Sequence, residues 1–428
     1  MKTKKIFQII STIILIIIIL FVNIGTIFTS IEKINYLSFS KYLSYFGIIC
    51  LLLYLLSKII YKKIDVKDII IICLSALALL SYLFAFDKSL ALNGEYNRNE
   101  GIKVILTYYS IFLLSSTSSQ QNQKKIMTIF LFTGILQVLL GSIQVLKIKN
   151  ILGYDRSHNW SNYFKFASGT FGNPNFYSTY ILMCLLYIYG IIIKYKPNLN
   201  KILLLLCFVI FLYGLIIGNT TSCILSLIII IFTTFPKVVN KKNLLKNIIN
   251  VFIIAIILSI VIAISDSYTN YKITNAMLEN SKEMIEIFRY GIKNETGDYR
   301  VYVWKETLKK IPKHIYTGVG IDNFSKINDG DYICINTMCF DKAHNEYLQK
   351  LSTEGLFSFI TYLILLCYTV YRYYKNKKHD CHNYGLYLAF ISYLIQAFFN
   401  ISVIPVAPIF FMIMGFINEC EVGELDEK

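Results

Sequence analysis

Long uncharged apolar stretches constrain the fold of this chain more than any other feature of its sequence. Residues 6–26, 45–56, 69–86 and 248–265 contain no Asp, Glu, Lys or Arg. A helix needs about 20 mostly apolar residues to cross the hydrocarbon core of a bilayer. With 55% hydrophobic residues, the chain also has more apolar surface than one soluble core buries. The sequence therefore predicts an integral membrane protein.

About twelve runs meet this criterion, although several are short enough for one pair to merge or split. They centre on residues 6–28, 42–60, 69–86, 102–116, 126–146, 174–193, 202–218, 222–235, 248–265, 354–371, 384–401 and 404–417. No low-complexity linker or internal repeat divides the chain. The predicted fold is an all-α polytopic membrane protein, a single integral domain over residues 1–428. One large extracytoplasmic loop, residues 266–342, lies within it.

The formal net charge of +16 follows this topology and requires no nucleic-acid partner. When the N-terminus is placed in the cytoplasm, the inner loops are rich in Lys and Arg, as at residues 58–67, 194–201, 237–246 and 372–378. The short outer loops carry fewer, and membrane proteins show this positive-inside bias. We therefore predict a multi-pass protein of the cytoplasmic (inner) membrane with both termini cytoplasmic.

The large loop contains two segments with helical periodicity. Residues 281–290 place apolar side chains on one face, which suggests an amphipathic stretch. A second helix is expected to begin with Asp298 as its cap and to stop at Pro312. Its predicted apolar face consists of Val301, Trp304, Leu308 and Ile311. Such helices would roof a cavity between the spans, because the segment is too short to form its own core.

An earlier outer loop, residues 147–170, ends at the mouth of another predicted span. Pro174 suits the first position of that helix and Asn173 its N-cap. A well-capped membrane helix is the simplest interpretation of this segment. In the large loop, Cys334 and Cys339 lie close together. An oxidising compartment permits a disulfide between them, but spacing alone leaves two free thiols equally open.

His344 is the first candidate for chemistry, because it is expected in the first turn of a late helix that opens Ala343-His344-Asn345-Glu346. The partial positive charge of a helix N-terminus disfavours imidazolium, so the ring would stay neutral. A neutral imidazole is a competent general base. The alternative is a histidine that only forms a hydrogen bond within its loop.

Arg300 lies one turn before Trp304 in the predicted loop helix. A guanidinium presents a rigid fork of donors that matches phosphate oxygens. Arg98 lies on the same predicted side of the membrane and carries the same potential. The alternative for Arg300 is a structural arginine that pairs with Asp298 or Glu306.

Two other kinds of site are rejected. The segment Gly318-Val319-Gly320 lacks the third glycine and the strand-turn-helix unit of a dinucleotide site. The five histidines are scattered and no Cys/His group has zinc spacing. Neither a cofactor nor a metal site is therefore predicted.

Several motifs in order give the chain a family resemblance. They are Arg300-x-x-x-Trp304, Thr317-Gly318-Val319-Gly320-x-x-Asn323-Phe324, and Ala343-His344-Asn345-Glu346-Tyr347-Leu348 followed by Glu354-Gly355. Arg98-x-Glu100-Gly101 and Gly169-Thr170-Phe171-Gly172-Asn173-Pro174-Asn175 lie upstream. With about a dozen spans and one large outer loop, this pattern resembles the O-antigen ligase and polymerase superfamily.

The resemblance implies a fold similar to the GT-C membrane glycosyltransferases. It also implies an inverting, metal-independent glycosyltransferase that takes a glycan from an undecaprenyl diphosphate carrier. In the family, the histidine that matches His344 activates the acceptor, and the arginine that matches Arg300 binds the donor diphosphate. Where many relatives carry a further arginine, this chain has Phe166 and Ala167. A second diphosphate contact could then fall to Lys165, Arg156 or Arg98. Asn345 and Trp304 are further candidates for contacts with the diphosphate or the glycan.

Three functions compete at this stage. The first is a surface polysaccharide polymerase, which we prefer because no segment suits recognition of a lipid A core. The second is a ligase that transfers the glycan to a lipid A core or to a protein hydroxyl. The third is a polysaccharide transporter or flippase, but transporters place ionisable residues or broken helices near the midplane. The predicted spans of this chain are almost free of charge.

Overall fold

The apolar runs form helices, most of them close to the expected boundaries. The structure is a computed structural model that describes residues 2–31, 36–61, 64–95, 98–146, 166–194, 200–238, 256, 259–260, 262–264, 266–267, 272–375 and 380–419. The α-helices, in chain order, are α1 Lys2–Ile31, α2 Tyr36–Tyr61, α3 Val66–Leu83, α4 Lys88–Asn93, α5 Ile102–Ser115, α6 Gln120–Val145, α7 Pro174–Lys194, α8 Asn200–Gly218, α9 Thr221–Val238, α10 Lys272–Tyr290, α11 Arg300–Lys310, α12 Glu346–Lys375, α13 Cys381–Ala397 and α14 Ala407–Ile417.

Short elements connect α11 to α12. Two 3₁₀ turns, Ile311–His314 and Phe324–Lys326, precede a two-stranded antiparallel hairpin. Its strands are β1 Ile333–Ile335 and β2 Met338–Phe340. A disulfide joins Cys334 to Cys339, which face each other in the strand register. The pairing that the sequence left open is therefore present, and it closes the hairpin.

Within the described residues, six helices are long and apolar enough to cross a membrane: Thr3–Ile24, Phe39–Tyr61, Val66–Leu83, Gln120–Val145, Pro174–Lys194 and Glu346–Lys375. Four shorter apolar helices accompany them at Ile102–Ser115, Ile202–Gly218, Thr221–Thr234 and Ala407–Ile417. These helices confirm the all-α polytopic membrane fold. The count of about twelve spans stays a prediction, and most of the run at 248–265 lies outside the described residues.

The helices group into two compact units. The first comprises Met1–Ile129, Ile292–Lys378 and Ala397–Lys428, and the second Phe130–Gly291 and His379–Gln396. The single domain over residues 1–428, with residues 266–342 as an extracytoplasmic loop, stays a prediction. All contacts described below for the candidate site lie within the first unit.

In the first unit, α12 is broken at Gly355, whose φ of 83° is not helical. Residues 315–320 lie across this break. The amides of Val319 and Gly320 donate to the carbonyls of Ser352 and Thr353 at 3.0 and 2.9 Å. Across the same break, the amide of Leu356 donates to the carbonyl of Ile315 at 2.7 Å. The loop thus satisfies backbone groups that the break would leave unpaired in an apolar setting.

The glycines of this loop explain the motif Thr317-Gly318-Val319-Gly320. A Cβ at Gly318 would lie 2.2 Å from the carbonyl carbon of Thr353, and one at Gly355 would lie 2.2 Å from the carbonyl oxygen of Tyr316. Both glycines have positive φ, which a residue with a Cβ rarely adopts. Gly318 therefore allows the loop to pack directly against the backbone of the broken helix.

In the second unit, the upstream glycine motif has a comparable structural role. Asn173 accepts a hydrogen bond from the amide of Asn175 at 2.8 Å, directly before α7 begins at Pro174. The side chain of Gln137 binds Thr170 through both its amide nitrogen and its carbonyl oxygen, at 2.7 and 2.9 Å. The predicted N-cap and first helical residue are confirmed.

The loop helices depart from the sequence expectation in two details. The helix predicted to start after Asp298 begins at Arg300, and Tyr299 in a left-handed conformation is its N-cap, so the predicted cap is wrong. Its buried face carries Val303 and Thr307, while Leu308 is 55% exposed. The buried face of α11 is thus rotated from the predicted one, because Val303 packs into the hydrophobic cluster beneath the helix. The expected amphipathic stretch at 281–290 is the second half of α10.

The packing of Gly318 predicts a marked loss of stability in Gly318→Ala. A left-handed alanine costs about 1–2 kcal/mol, and overlap with the Thr353 backbone adds about 1–3 kcal/mol. Gly330→Ala is the matched control, because Gly330 also has positive φ but a Cβ at that position would meet nothing within 4 Å. Thermal unfolding of the purified protein in detergent measures both variants. Equal destabilisation of the two variants would contradict the packing role.

Candidate active site

His344 lies in a short turn immediately before α12. It has a φ of 50°, in the left-handed region that side chains other than glycine rarely adopt. Asn345 follows and caps the helix, since its side-chain oxygen accepts a hydrogen bond from the amide of Leu348 at 3.0 Å. The prediction of His344 in the first helical turn is wrong by two residues, because α12 begins at Glu346. The residue is partly exposed, which leaves it accessible to a substrate.

Hydrogen bonds on both sides fix the residue before His344. The amide of Ala343 donates to the side-chain oxygen of Gln349 at 2.8 Å. Its carbonyl accepts a hydrogen bond from the indole N–H of Trp304 at 3.0 Å. Trp304 was predicted as a substrate contact, but its N–H is engaged in holding this turn. Asn345 likewise uses its side chain as a cap, so both residues position the turn.

A hydrophobic cluster lies beneath the same turn. It consists of Val303, Val319, Phe324, Ile327, Ile333 and Ala343, all nearly or fully buried. These residues come from α11, the glycine loop, the second 3₁₀ turn and the residue after it, β1 and the turn of His344. Burial of each large apolar side chain contributes about 1.5–3 kcal/mol. The cluster therefore joins the helix of Arg300 to the turn of His344.

Arg300 is the first residue of α11. Its guanidinium donates to the carbonyl of Phe399 at 2.6 Å. Glu306, one of its expected structural partners, pairs with Lys309 at 2.6 Å. The charge of Arg300 acts on the imidazole of His344. One turn further along α11, Trp304 donates to the carbonyl of Ala343, so the helix of Arg300 contacts the turn of His344.

Arg98 reaches the same region from the segment before α5. Its guanidinium binds the carboxylate of Asp341, with Nε 2.8 Å from Oδ2 and Nη2 3.5 Å from Oδ1. Burial alone would lower the pKa of Arg98, but the hydrogen bond and charge of Asp341 raise it above its ordinary value. Arg98 is therefore a permanent cation beside the histidine turn.

A second ion group is fully buried. Lys342 forms ion pairs with Asp322 and, at 3.7 Å, with Glu100. Glu100 also accepts hydrogen bonds from Tyr108 at 2.7 Å and Ser402 at 2.9 Å. Burial would lower the pKa of Lys342, and the two carboxylates raise it above its ordinary value. These contacts fix the backbone two residues before His344.

We refer to Arg98, Glu100, Asp322, Asp341 and Lys342 as the charged cluster. Its members come from three separate segments of the chain. Left-handed non-glycine residues occur in each of these segments, at Asn99, Asp322 and His344. Such conformations cost about 1–3 kcal/mol each and persist where surrounding contacts enforce them. Here the ion pairs of the charged cluster and the packing of the hydrophobic cluster hold these backbone conformations.

The surroundings of His344 strongly favour its neutral form. Burial, together with the charges of Arg300, Arg98 and Lys342, lowers the pKa of His344 to about 4, whereas Asp341 opposes this shift. Neutral imidazole is the state that the sequence analysis expected. Burial is the largest cause of the lowered pKa, and the neighbouring cations add to it.

Two predicted contact residues, Arg156 and Lys165, lie outside the described residues. Sequence reasoning missed Asp322, Asp341 and Lys342 as parts of the site. Asp341 and Lys342 lie two or three positions before His344, and that proximity was the available signal. Asp322 lies within the glycine motif, but its partnership with Lys342 depends on how two distant segments fold together.

Helix α12 contains a buried ion pair at the start of the run predicted as a span. Lys350 binds both carboxylate oxygens of Glu354 at 2.7 and 2.8 Å, and both side chains are buried. Tyr109 lies 3.3 Å from the same amine. The pair escaped the sequence analysis because the span was expected to begin only at Glu354. Close pairing offsets the cost of burying these charges.

The fold and the site together define a multi-pass membrane protein with a neutral histidine beside clustered arginines. Residues 206–363 match the family model described as O-antigen ligase. The match contains Arg300, the glycine loop and the turn of His344. It confirms the resemblance to the O-antigen ligase and polymerase superfamily and supports an O-antigen ligase- or polymerase-type function. Lipid-linked glycans as donors, and glycans or lipids as acceptors, are implied by this family. No curated protein matches the chain significantly.

The lowered pKa of His344 predicts that stability depends on pH. In the unfolded chain His344 binds a proton as the pH falls below about 6.5, whereas in the folded protein it stays neutral until about pH 4. Its contribution to the free energy of unfolding is therefore fully present above pH 6.5. It is lost as the pH falls towards 4, by at most about 3 kcal/mol. Thermal unfolding at about pH 7.5 and about pH 5 measures the loss. His344→Gln should remove this part of it, and an unchanged pH dependence in that variant would contradict the assignment.

Proposed function

We propose that this protein is an inverting, metal-independent glycosyltransferase that polymerises a surface polysaccharide from undecaprenyl diphosphate-linked units. The reaction would take place at the outer face of the cytoplasmic membrane, with both termini of the chain in the cytoplasm. The observation that carries the proposal is the buried, neutral imidazole of His344, on which the charges of Arg300 and Arg98 act. Glycosyl transfer from a diphosphate requires a base for the acceptor and a cation for the leaving group.

Arg300 is proposed to bind the donor diphosphate, with Arg98 as a second contact. Both guanidinium groups are cations near His344, and a planar fork of N–H groups matches phosphate oxygens. As the bond to the sugar breaks, negative charge grows on the leaving diphosphate. A preorganised cation at that position stabilises the transition state more than the ground state.

His344 is proposed to accept the proton of the acceptor hydroxyl. A base with a pKa of about 4 is neutral at physiological pH but weakly basic. A bound diphosphate would offset the positive charges of Arg300 and Arg98, which favours the protonated ring. The base would therefore gain strength only when the donor is in place, and an unloaded site would not deprotonate water.

The choice of polymerase rests on the sequence rather than on the site. No segment suited to recognition of a lipid A core was found, and a ligase to such a core or to a protein hydroxyl remains the second candidate. The chemistry at His344 and Arg300 is the same for both. Purified protein in proteoliposomes, supplied with a defined lipid-linked oligosaccharide, distinguishes them by product size. A ladder of longer lipid-linked chains supports the polymerase, and product formed only after a lipid or protein acceptor is added supports the ligase.

Replacement of the proposed base gives the first test of the chemistry. His344→Gln should lower kcat about 10²–10⁴-fold, the range that general base catalysis contributes. His314→Gln is the matched control, since His314 contacts Phe86 at a ring distance of 5.4 Å and has no assigned role. Formation of glycosidic product from the lipid-linked donor measures both. Full activity of His344→Gln would contradict the proposal.

The donor contact is tested by Arg300→Lys, which keeps the charge but removes the planar fork. The loss of a charged hydrogen bond to diphosphate should lower donor kcat/KM about tenfold to hundredfold. Arg289→Lys, in the last turn of α10, should leave it unchanged. A normal donor kcat/KM in Arg300→Lys, measured with the same lipid-linked oligosaccharide, would exclude a bidentate contact.

A further inference from the structure

The charged cluster contains one ion pair that a ligand can reach. The side chains of Arg98 and Asp341 are 23% and 29% exposed, whereas those of Lys342, Asp322 and Glu100 are 4%, 1% and 4% exposed. The buried ions are therefore fixed parts of the fold. Exchange of partners is least costly at the Arg98–Asp341 pair, because its side chains keep more contact with solvent than the buried ions do, and solvent compensates charges that separate.

The backbone between Asp341 and His344 is held from several directions. Lys342 is tied to Asp322 and Glu100, and Ala343 is hydrogen-bonded through both its amide and its carbonyl. The ring of Phe340 meets the imidazole of His344 edge to face, with centroids 6.3 Å apart. Rearrangement in this turn is therefore confined to the side chains of Asp341 and His344.

The charges that act on His344 are mostly positive before any substrate binds. Among the residues that the structure describes, Arg300, Arg98 and Lys342 disfavour the protonated imidazole, and Asp341 opposes them. A diphosphate that binds the guanidinium of Arg98 competes with Asp341 for the same N–H groups. Asp341 is the accessible anion, and it already faces a guanidinium that suits phosphate.

We infer that Arg98 exchanges Asp341 for the donor diphosphate, and that the released Asp341 then orients His344 as a positioning residue. This inference rests on the proposed function. The contact between Arg98 and Asp341 is uneven, with Nε at 2.8 Å and Nη2 at 3.5 Å from the carboxylate oxygens, so the Nη2 group is only weakly engaged. Binding of the donor diphosphate would thereby also orient the imidazole of His344 and make it a stronger base.

The reaction step that follows is balanced without a further reactant. The acceptor hydroxyl gives its proton to the imidazole of His344, and its oxygen forms the new bond to the anomeric carbon. The bond from that carbon to the diphosphate oxygen breaks, and its electron pair leaves on the diphosphate. Asp341 stabilises the imidazolium but does not take the proton. The imidazolium later returns its proton to water or to the released diphosphate.

The groups that face His344 determine the expected pH profile. They are Arg300 from α11, Arg98 from the segment before α5, and Asp341 and Lys342 from its own turn. The acid limb of donor kcat/KM reports the free enzyme, and that of kcat reports the loaded enzyme. If Arg98 exchanges Asp341 for the diphosphate, the acid limb of kcat should lie at a pH about one unit or more above the acid limb of kcat/KM.

Asp341→Asn tests the inference with the full-length protein in proteoliposomes and the lipid-linked oligosaccharide donor. It should lower kcat about tenfold or more and narrow the separation between the two acid limbs, because the donor would then raise the pKa of His344 only by offsetting the cations. Asp341→Glu should restore their separation. The control, Asp329→Asn, removes an exposed carboxylate 3.1 Å from Lys313 and should behave like the wild type.

Two results would overturn the inference: limbs as far apart in Asp341→Asn as in the wild type, or a loss of rate in that variant with both limbs unmoved. If Asp341→Asn does not fold, Asp341→Glu carries the test, and normal activity without separated limbs would overturn it. Failure of the proposed function is a different result. In that case the wild type and Asp329→Asn would form no glycosidic product at all.

Discussion

The hydrogen bonds across the break in α12 are the constraint on which the site depends. Residues 315–320 donate and accept at backbone groups around Gly355, so the loop and the helix form one rigid piece. α11, which carries Arg300, lies directly before this loop. His344 lies directly before the first half of α12. In an apolar environment unpaired backbone groups cost several kcal/mol each, so the segments that carry the two candidate residues are held together.

The charged groups on this framework fall into those that hold the fold and those that a ligand can reach. The fully buried ions of the charged cluster are paired at close range, and they fix loops rather than bind ligands. The more accessible guanidinium groups lie beside a histidine that burial keeps neutral. A cationic site with a neutral base suits a substrate that brings its own negative charge. A lipid diphosphate-linked sugar would bring that charge, and a neutral base beside the cations has a use in glycosyl transfer that transport does not require.

The site draws on distant parts of the chain. The family match at residues 206–363 includes the histidine turn, Arg300 and the glycine loop. Arg98 and Glu100 lie outside that match, yet they contact Asp341 and Lys342 directly. The segment before α5 therefore completes a site whose other members come from the matched region. A function assigned from the matched region alone would omit the residue that holds Asp341.

Sequence alone determined the membrane class, the positions of most helices, the Asn173 cap and the pairing of His344 with Arg300 as a functional hypothesis. Those features follow from hydrophobic length, local capping and motif order, which are properties of neighbouring residues. Only the tertiary structure decided the break at Gly355, the disulfide, the start of α11, and the partners of Lys342 and Asp341. Each of these depends on how segments pack against one another, and local propensity does not specify which groups meet when the helices come together.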